Sequence, residues 1–509
     1  MATWTSGYVA EISYTQGFYR ELAPTLLRFV ALSKAMRARG ADEPLSYCEL
    51  GCGQGFSVNV LAAANPHITF HATDFNPTHV AGARALAAAA GTENLTVYDD
   101  AFAELLVRDS LPSFDIIALH GIWSWISDEN RRVIAAFIKA HLKVGGLVYI
   151  SYNALPGWAS GMPLRRLLVD HAGAATGPID KRIDAALAFS ERIRGANSAY
   201  FRANPGVGDR LDRMKNASRN YLAHEHLNKD WQPFYHADVA ADLDEAKLTF
   251  VGSTSVLDHV DNISLSQPQR DLLADVSHPA LRETVRDFLI NQQFRRDMFQ
   301  KGPVALSPLD LQDDWADQRF ALTVRRADVN MQVDGTAGRM GLLPEVYGPI
   351  LDAFADGPRT VRQIANDPAI AGLGWSRLRQ AITVLIGSDQ MHPCLPEAGD
   401  AVRAVRTRAF NRAVMLKART SAELTHLASP VIGSGVPVDR FGQLFLLAEA
   451  ENAPDPVRFA AATLEALGQR VVKEGRRLED PEEHIAEFRA QFETFNTRRR
   501  PLLAQLGIA

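Results

Sequence analysis

Apolar residues in the first third of the chain recur in short runs separated by stretches of helical period. Tyr47-Cys48-Glu49-Leu50 is a short apolar run ending in an acid that enters three alternate glycines, and a helical pattern follows. Residues 68–74 make a second strand pattern. Asn76-Pro77 then caps a predicted helix that stops at Gly91, since Asn suits an N-cap and Pro the first helical position. Residues 95–99, 114–120 and 146–152 read as three more strands, and residues 127–143 as a helix. Strands alternating with helices predict an α/β unit whose mainly parallel sheet carries its ligand at the carboxyl edge.

The loops at that edge hold the chemistry. In Glu49-Leu50-Gly51-Cys52-Gly53-Gln54-Gly55, the glycines allow a tight turn and leave amides facing a ligand. A dinucleotide fingerprint needs its third glycine at the position Phe56 occupies, so NAD is disfavoured. The spacing instead resembles motif I of class I S-adenosylmethionine (SAM) methyltransferases. About 20 residues on, Asp74, followed by Phe75 and Asn76, stands where a nucleoside ribose needs a carboxylate. Asp100 is expected to accept from the adenine amino group, with Ala101 and Phe102 against its ring. His120 and Gly121 close the set after the fourth strand. Gly51, Cys52, Gly53, Gly55 and Glu49 are therefore read as cofactor-binding together with these residues.

Composition narrows the class. The 509 residues suffice for about three domains, 47% are hydrophobic, and the formal net charge is -5. That balance predicts a globular, mildly acidic protein, with nothing that advertises nucleic acid or an anionic membrane. Cys48, Cys52 and Cys394 form no paired framework, which fits a reducing compartment. No signal segment opens the chain and no apolar run reaches the ~20 residues that span a bilayer. A cytoplasmic location without membrane insertion is expected.

Aromatic residues crowd both flanks of the loops. Tyr14 and Tyr19, ahead of motif I, are read as a lid that brings rings or hydroxyls to the acceptor, against the alternative that they staple a helix to the sheet. Trp123 and Trp125 follow the fourth strand. Two indoles there wall a pocket suited to a partly cationic amine, although one of them is expected to anchor the next helix. Tyr152, Asn153 and Trp158, after the fifth strand, are further substrate-pocket candidates. His224-Glu225-His226 lacks the His-Glu-x-x-His zinc spacing, and neighbouring side chains on a helix diverge, so no metal is expected.

In combination, Tyr14-Thr15-x-Gly17-Phe18-Tyr19-x-Glu21-Leu22, motif I, His120-Gly121-x-x-Ser124-Trp125, Ser151-Tyr152-Asn153, Pro156-Gly157-Trp158, Tyr221-Leu222-Ala223-His224-Glu225 and Phe294-Arg295-Arg296-Asp297 resemble one family. It is that of SAM methyltransferases carrying a methyltransferase regulatory domain, which includes bacterial protein lysine methyltransferases of outer-membrane proteins. The likeness covers roughly residues 5–300. It implies a Rossmann-like class I catalytic domain, an inserted or following helical regulatory domain, and C-terminal domains that hold a substrate or a second subunit; the residue pattern adds a winged-helix-like part.

The expected division is an aromatic lid and helix over 1–40, the SAM-binding domain over 41–165, a helical regulatory domain over 166–300, a winged-helix-like domain over 301–400 and a helical domain over 401–509. In the winged-helix-like part, helices are predicted over 341–355, 360–366 and 375–388 and a wing strand over 391–395. From Arg339 to Pro396 five arginines face five acids. No basic surface results, so protein interaction is favoured over DNA.

The reading is a SAM-dependent protein lysine N-methyltransferase, with Tyr14, Tyr19, Trp123, Trp125, Tyr152 and Asn153 around the acceptor and a homodimer as one role of the C-terminal domains. A small-molecule methyltransferase and a catalytically idle SAM-binding adaptor are the alternatives.

Overall fold

The computed structural model describes residues 7–9 and 14–509. The first six residues and 10–13, part of the expected lid, lie outside the described residues. Seven strands form the central sheet: β1 (Leu45–Leu50), β2 (Ile68–Thr73), β3 (Leu95–Tyr98), β4 (Phe114–Leu119), β5 (Leu142–Asn153), β6 (Leu248–Ser253) and β7 (Phe294–Lys301), in the order β3-β2-β1-β4-β5-β7-β6. β1 to β5 run parallel, and β7 is antiparallel to both β5 and β6. This is the class I methyltransferase fold.

Two of the seven strands were not anticipated. β6 and β7 come from the stretch expected to be helical, because a half-buried edge strand such as β6 carries too short an alternation to stand out beside long helices. β5 also begins four residues earlier than predicted. Leu142 pairs with Phe114 and the ladder resumes at Leu147 after a bulge, and the helix Asp128–His141, capped by the Ser127 hydroxyl, ends correspondingly sooner.

The helix after motif I, Phe56–Ala64, is buried along its whole length. One side lies on the sheet. The other contributes Phe56, Val60 and Ala64 to a core shared with Phe410, Leu427, Val436, Leu447 and Phe495 from the C-terminal hundred residues. Fully burying one such large apolar side chain contributes about 1.5–3 kcal/mol. The C-terminal region thus packs on the back of the glycine loop.

That region is not wholly helical, since His426–Ser429 and Ser434–Pro437 form an antiparallel hairpin between its helices. In the winged-helix-like part, the predicted wing is the short strand Met391–Pro393. It pairs with Arg319–Leu322, the centre of a three-stranded sheet. The helices there are Pro344–Ala353, Val361–Ile364 and Trp375–Gly387, and the expected connector holds a further short helix, Pro368–Ala371.

The segment leading into motif I is gripped from outside. The Phe18 ring lies tilted against His426 at 4.8 Å, Arg20 donates to the Ile386 carbonyl at 3.0 Å, and Thr25 donates to the Ile432 carbonyl at 3.0 Å. Among the described residues no helix is long and apolar enough to cross a membrane.

Candidate active site

At the carboxyl edge of β1, β2, β4 and β5 lies a cavity of about 430 Å³. Its glycine-loop end is built locally. Gly51, Gly53 and Gly55 all have positive φ, which side-chain-bearing residues rarely adopt. A Cβ on Gly51 would also drive into the Ile122 side chain, and one on Gly55 would meet the Ala83 methyl at 2.5 Å. Asp74 ties the loop to β2: its carboxylate accepts from Gly53 N and Asn76 N, each at 2.9 Å, with His79 Nδ1 at 3.2 Å. Two carboxylate oxygens offer about four acceptor sites, so one remains for a ligand hydroxyl.

Glu49, on the cavity wall, is buried with Oε2 lacking any hydrogen-bond partner. Burial first, and the Asp74 charge second, push its carboxyl up to about 8. An orphaned acid beside an amide-lined loop fits a ligand that brings a cation, as the amino group and sulfonium of SAM do.

The opposite end is aromatic. Tyr14, Tyr19, Trp125, Trp158 and Tyr221 line it with Asn153, His224 and Glu225. Ser57, on the helix after motif I, accepts from Tyr19 N and donates to the Gly17 carbonyl, both at 3.1 Å, holding the lid segment down. The Tyr19 ring stacks on His120 at 3.9 Å, and His120 Nδ1 lies 2.8 Å from the Tyr149 hydroxyl. Burial, then the Arg296 charge, pushes His120 down to about 3, so the imidazole stays neutral. Burial likewise raises the Tyr14 and Tyr19 phenols, Tyr14 well above the usual range. These hydroxyls are donors, not bases. Trp125 Nε1 donates to the Glu225 carbonyl at 3.2 Å, fixing its indole against the helix Arg219–His226.

Of the residues expected in the site, Tyr14, Tyr19, Trp125, Asn153, Glu49, Gly51, Cys52, Gly53, Gly55, Asp74, His120 and Gly121 all line this cavity. Trp123 and Tyr152 do not. Trp123 is fully buried in the core beneath β4, with Ile134 and Phe137. Tyr152 points to the other face of the sheet, as alternation along a strand demands. Its hydroxyl donates to Asp297 at 2.6 Å, inside a buried knot with His236 and Arg295.

On the expected adenine side, Asp100 is held bidentately by Arg108 at 2.6 and 2.8 Å, so its carboxylate is not the free acceptor anticipated. Ala101 N donates to Glu104, Phe102 begins a short helix, and Asn76 caps the helix Pro77–Ala90. Phe75 lies edge-on to Tyr8 at 5.5 Å. Phe75, Asn76, Ala101 and Phe102, like Asp100, lie outside the lining of this cavity.

Sequence reasoning missed Glu225 and Tyr221. The segment entered the sequence reading as part of the family resemblance and as a rejected metal motif, with no site role for either residue. The usable signal was an acid embedded in the otherwise apolar and aromatic Tyr221-Leu222-Ala223 stretch. Among the described residues no three His, Cys, Asp or Glu side chains are grouped to hold a metal ion.

A glycine-loop cavity on this sheet, with an orphaned acid at one end and aromatic rings at the other, defines a SAM-dependent methyltransferase. The chain belongs to the family of such enzymes that carry a methyltransferase regulatory domain. Residues 48–148 match the family model described as a methyltransferase domain, and residues 218–301 the one described as a predicted methyltransferase regulatory domain. In particular, the chain is 41% identical over 507 residues to the uncharacterized protein sll1526 of Synechocystis sp., covering 100% of both chains. It is 24% identical to protein RP789 of Rickettsia prowazekii, over 48% of this chain and 44% of that one. Among solved structures it is similar in fold to PKMT2 of Rickettsia typhi, with a TM-score of 0.70 at 15% identity, covering 97% of this chain and 100% of that one. The same protein in complex with AdoHcy gives 0.69 at 17% identity, over 95% and 98% of the two chains.

The regulatory match covers β6, β7 and the helix that carries Glu225. In this structure that region completes the catalytic sheet and walls the cavity.

Proposed function

We propose that this enzyme is a protein lysine N-methyltransferase. The observation that carries the reading is the aromatic end of the cavity, where Tyr14, Trp125 and Tyr221 surround space that ends on the Glu225 carboxylate. Aromatic faces attract a cationic alkylamine, and a carboxylate supplies its counter-charge. Tyr221 is 43% exposed, so the pocket opens at the surface and suits a long side chain reaching in from outside. The likeness in fold to PKMT2, a protein lysine methyltransferase, supports the same reading. A reducing compartment, the cytoplasm, suits the three cysteines, all of them free.

SAM supplies an electrophilic methyl on a sulfonium, which the acceptor nitrogen takes while the carbon–sulfur electron pair stays on sulfur. The protein's part is alignment and proton control. The Gly51–Gly55 loop, Glu49 and Asp74 hold the cofactor. Tyr19, stacked on neutral His120 and anchored through Ser57, presents a hydroxyl donor at the junction of the two ends. The lysine amine, near 10.4 in water, loses its proton more readily once desolvated among these rings.

Incubating the full-length protein with cell extract and isotope-labelled SAM, followed by mass spectrometry of digested proteins, tests the reading. Labelled methyllysine is expected. Label confined to metabolites would assign the small-molecule function instead, and no transfer despite cofactor binding would make the protein an adaptor.

A further inference from the structure

At the aromatic end of the cavity Glu225 has no ion-pair partner among the described residues. Two arginines act on it from a distance, and both are engaged elsewhere. Arg210, on the helix Pro205–Lys215, lies 3.9 Å over Trp158 and donates to Gln293 at 2.9 Å. Arg165, on the helix Met162–Ala174, lies 4.6 Å over Trp231 and donates to the Asn228 carbonyl at 2.8 Å. Neither comes within ion-pair distance of Glu225 among the described residues.

The other titratable groups that interact with Glu225 are phenols. Tyr8, Tyr14 and Tyr19 come from the lid and Tyr221 from its own helix, on which His226 is the next residue. Burial raises the phenols, with Tyr221 pushed up to about 12. It lowers His226 to about 3, so none of them carries charge near neutrality. Asn153, at the end of β5, stands near enough to favour the ionised carboxylate, yet its buried Nδ2 completes no hydrogen bond within the protein.

We infer that Glu225, with Asn153 beside it, is the group that captures the acceptor as a primary ammonium ion and takes its proton before methyl transfer. The inference rests on the lysine reading and adds a catalytic residue to it. In the proton step one N–H bond of the ammonium breaks and an O–H bond forms on the carboxylate, leaving a neutral amine with its lone pair free. After transfer the product departs as a secondary ammonium ion, and the carboxyl returns its proton to water past the exposed Tyr221. Burial pushes Glu225 up to about 8, against the weaker opposing effects of Asn153, Arg210 and Arg165. It is therefore a stronger base than an ordinary carboxylate, and the phenols around it keep their protons near neutrality.

The test uses the full-length protein saturated with S-adenosylhomocysteine, n-butylammonium as the probe, n-butanol as its uncharged control, and Trp fluorescence or calorimetry as the readout. Wild type should bind the cation more tightly as pH rises from about 6 to about 9, because the probe itself stays charged below about 10. Glu225→Gln should weaken binding of the cation by at least about tenfold and flatten that pH dependence. Butanol binding, S-adenosylhomocysteine affinity and melting temperature should remain, and Glu225→Asp should recover part of the loss.

Equal butylammonium affinity in Glu225→Gln, a pH-independent wild type, or no binding by wild type up to about 100 mM would overturn the proposal. The lysine reading fails separately. Glu225-dependent butylammonium binding without methyllysine in extracts would leave an amine site and remove the protein substrate. Methyllysine formed by Glu225→Gln at the wild-type rate across the pH range would keep the substrate and remove Glu225.

Discussion

The glycine-loop end and the aromatic end of the cavity each contain one glutamate pushed up to about 8, in both cases chiefly by burial. They differ in how the chain assembles them. Glu49, the three glycines and Asp74 fall within 26 residues of sequence, on two adjacent parallel strands. The aromatic end draws on the lid, β4, β5, the Arg219–His226 helix and the approach to β7, spread from Tyr14 to Phe294. Tight turns on neighbouring strands suffice to surround a cofactor, whereas an acceptor pocket needs surfaces from distant segments to exclude water from several sides. The first end therefore depends on backbone conformation and the second on packing.

Substitutions should separate the two ends. The largest effect is expected from Gly51→Val, which combines φ +73 with a side chain directed into Ile122. SAM affinity measured by calorimetry should fall by more than about a hundredfold, roughly 2.7 kcal/mol or more, and unchanged affinity would break the backbone account of this end. Asp74→Ala should follow, with a loss of about ten- to several-hundred-fold, or about 1.5–3 kcal/mol. Asp74 holds Gly53 and Asn76 as well as facing the cavity, so the loss should come with faster hydrogen exchange at both amides. Normal affinity and exchange would remove it from the site.

At the aromatic end the two tryptophans should part. Trp125→Phe removes the indole donor to Glu225 and should lower turnover by about tenfold with SAM affinity within a few-fold, consistent with about 1–1.5 kcal/mol for one hydrogen bond. Trp123→Phe should instead lower the melting temperature and spare turnover, and the reverse pattern would exchange their roles. Tyr19→Phe keeps the stack on His120 and loses only the hydroxyl. It should slow turnover by about five- to tenfold, equivalent to about 1 kcal/mol. Full activity in that variant would make Tyr19 a packing residue.

The smallest effect concerns pH. Folding raises the Glu49 carboxyl from its ordinary 4.5 to about 8, so between those values the folded chain binds more protons than the unfolded one. Stability then falls as pH rises through that window. The ligand-free melting temperature should drop by a few degrees from about pH 5 to about pH 8, and Glu49→Gln should flatten the drop. An equally steep drop in the variant would assign it to other groups.

Local patterns in the sequence were enough for the five parallel strands, motif I and the acid after β2, because each depends on residues close together: alternation, glycines at positive φ, and a carboxylate at a strand end. The Asn76-Pro77 cap and the Gly91 stop follow from the same short-range physics. Only the tertiary structure decided which side chains face the cavity. Tyr152 and Asn153 are neighbours on β5, yet one joins the Asp297 knot and the other reaches Glu225. Trp123 and Trp125, two residues apart on a single turn, split between core and cavity. Asp100 found Arg108, eight residues away, where a free acceptor was expected. Glu225 acquires its raised proton affinity chiefly from burial, and Phe18 is held by a hairpin more than 400 residues further along the chain. Desolvation and long-range packing depend on what surrounds a residue in space, and no window of sequence contains that information.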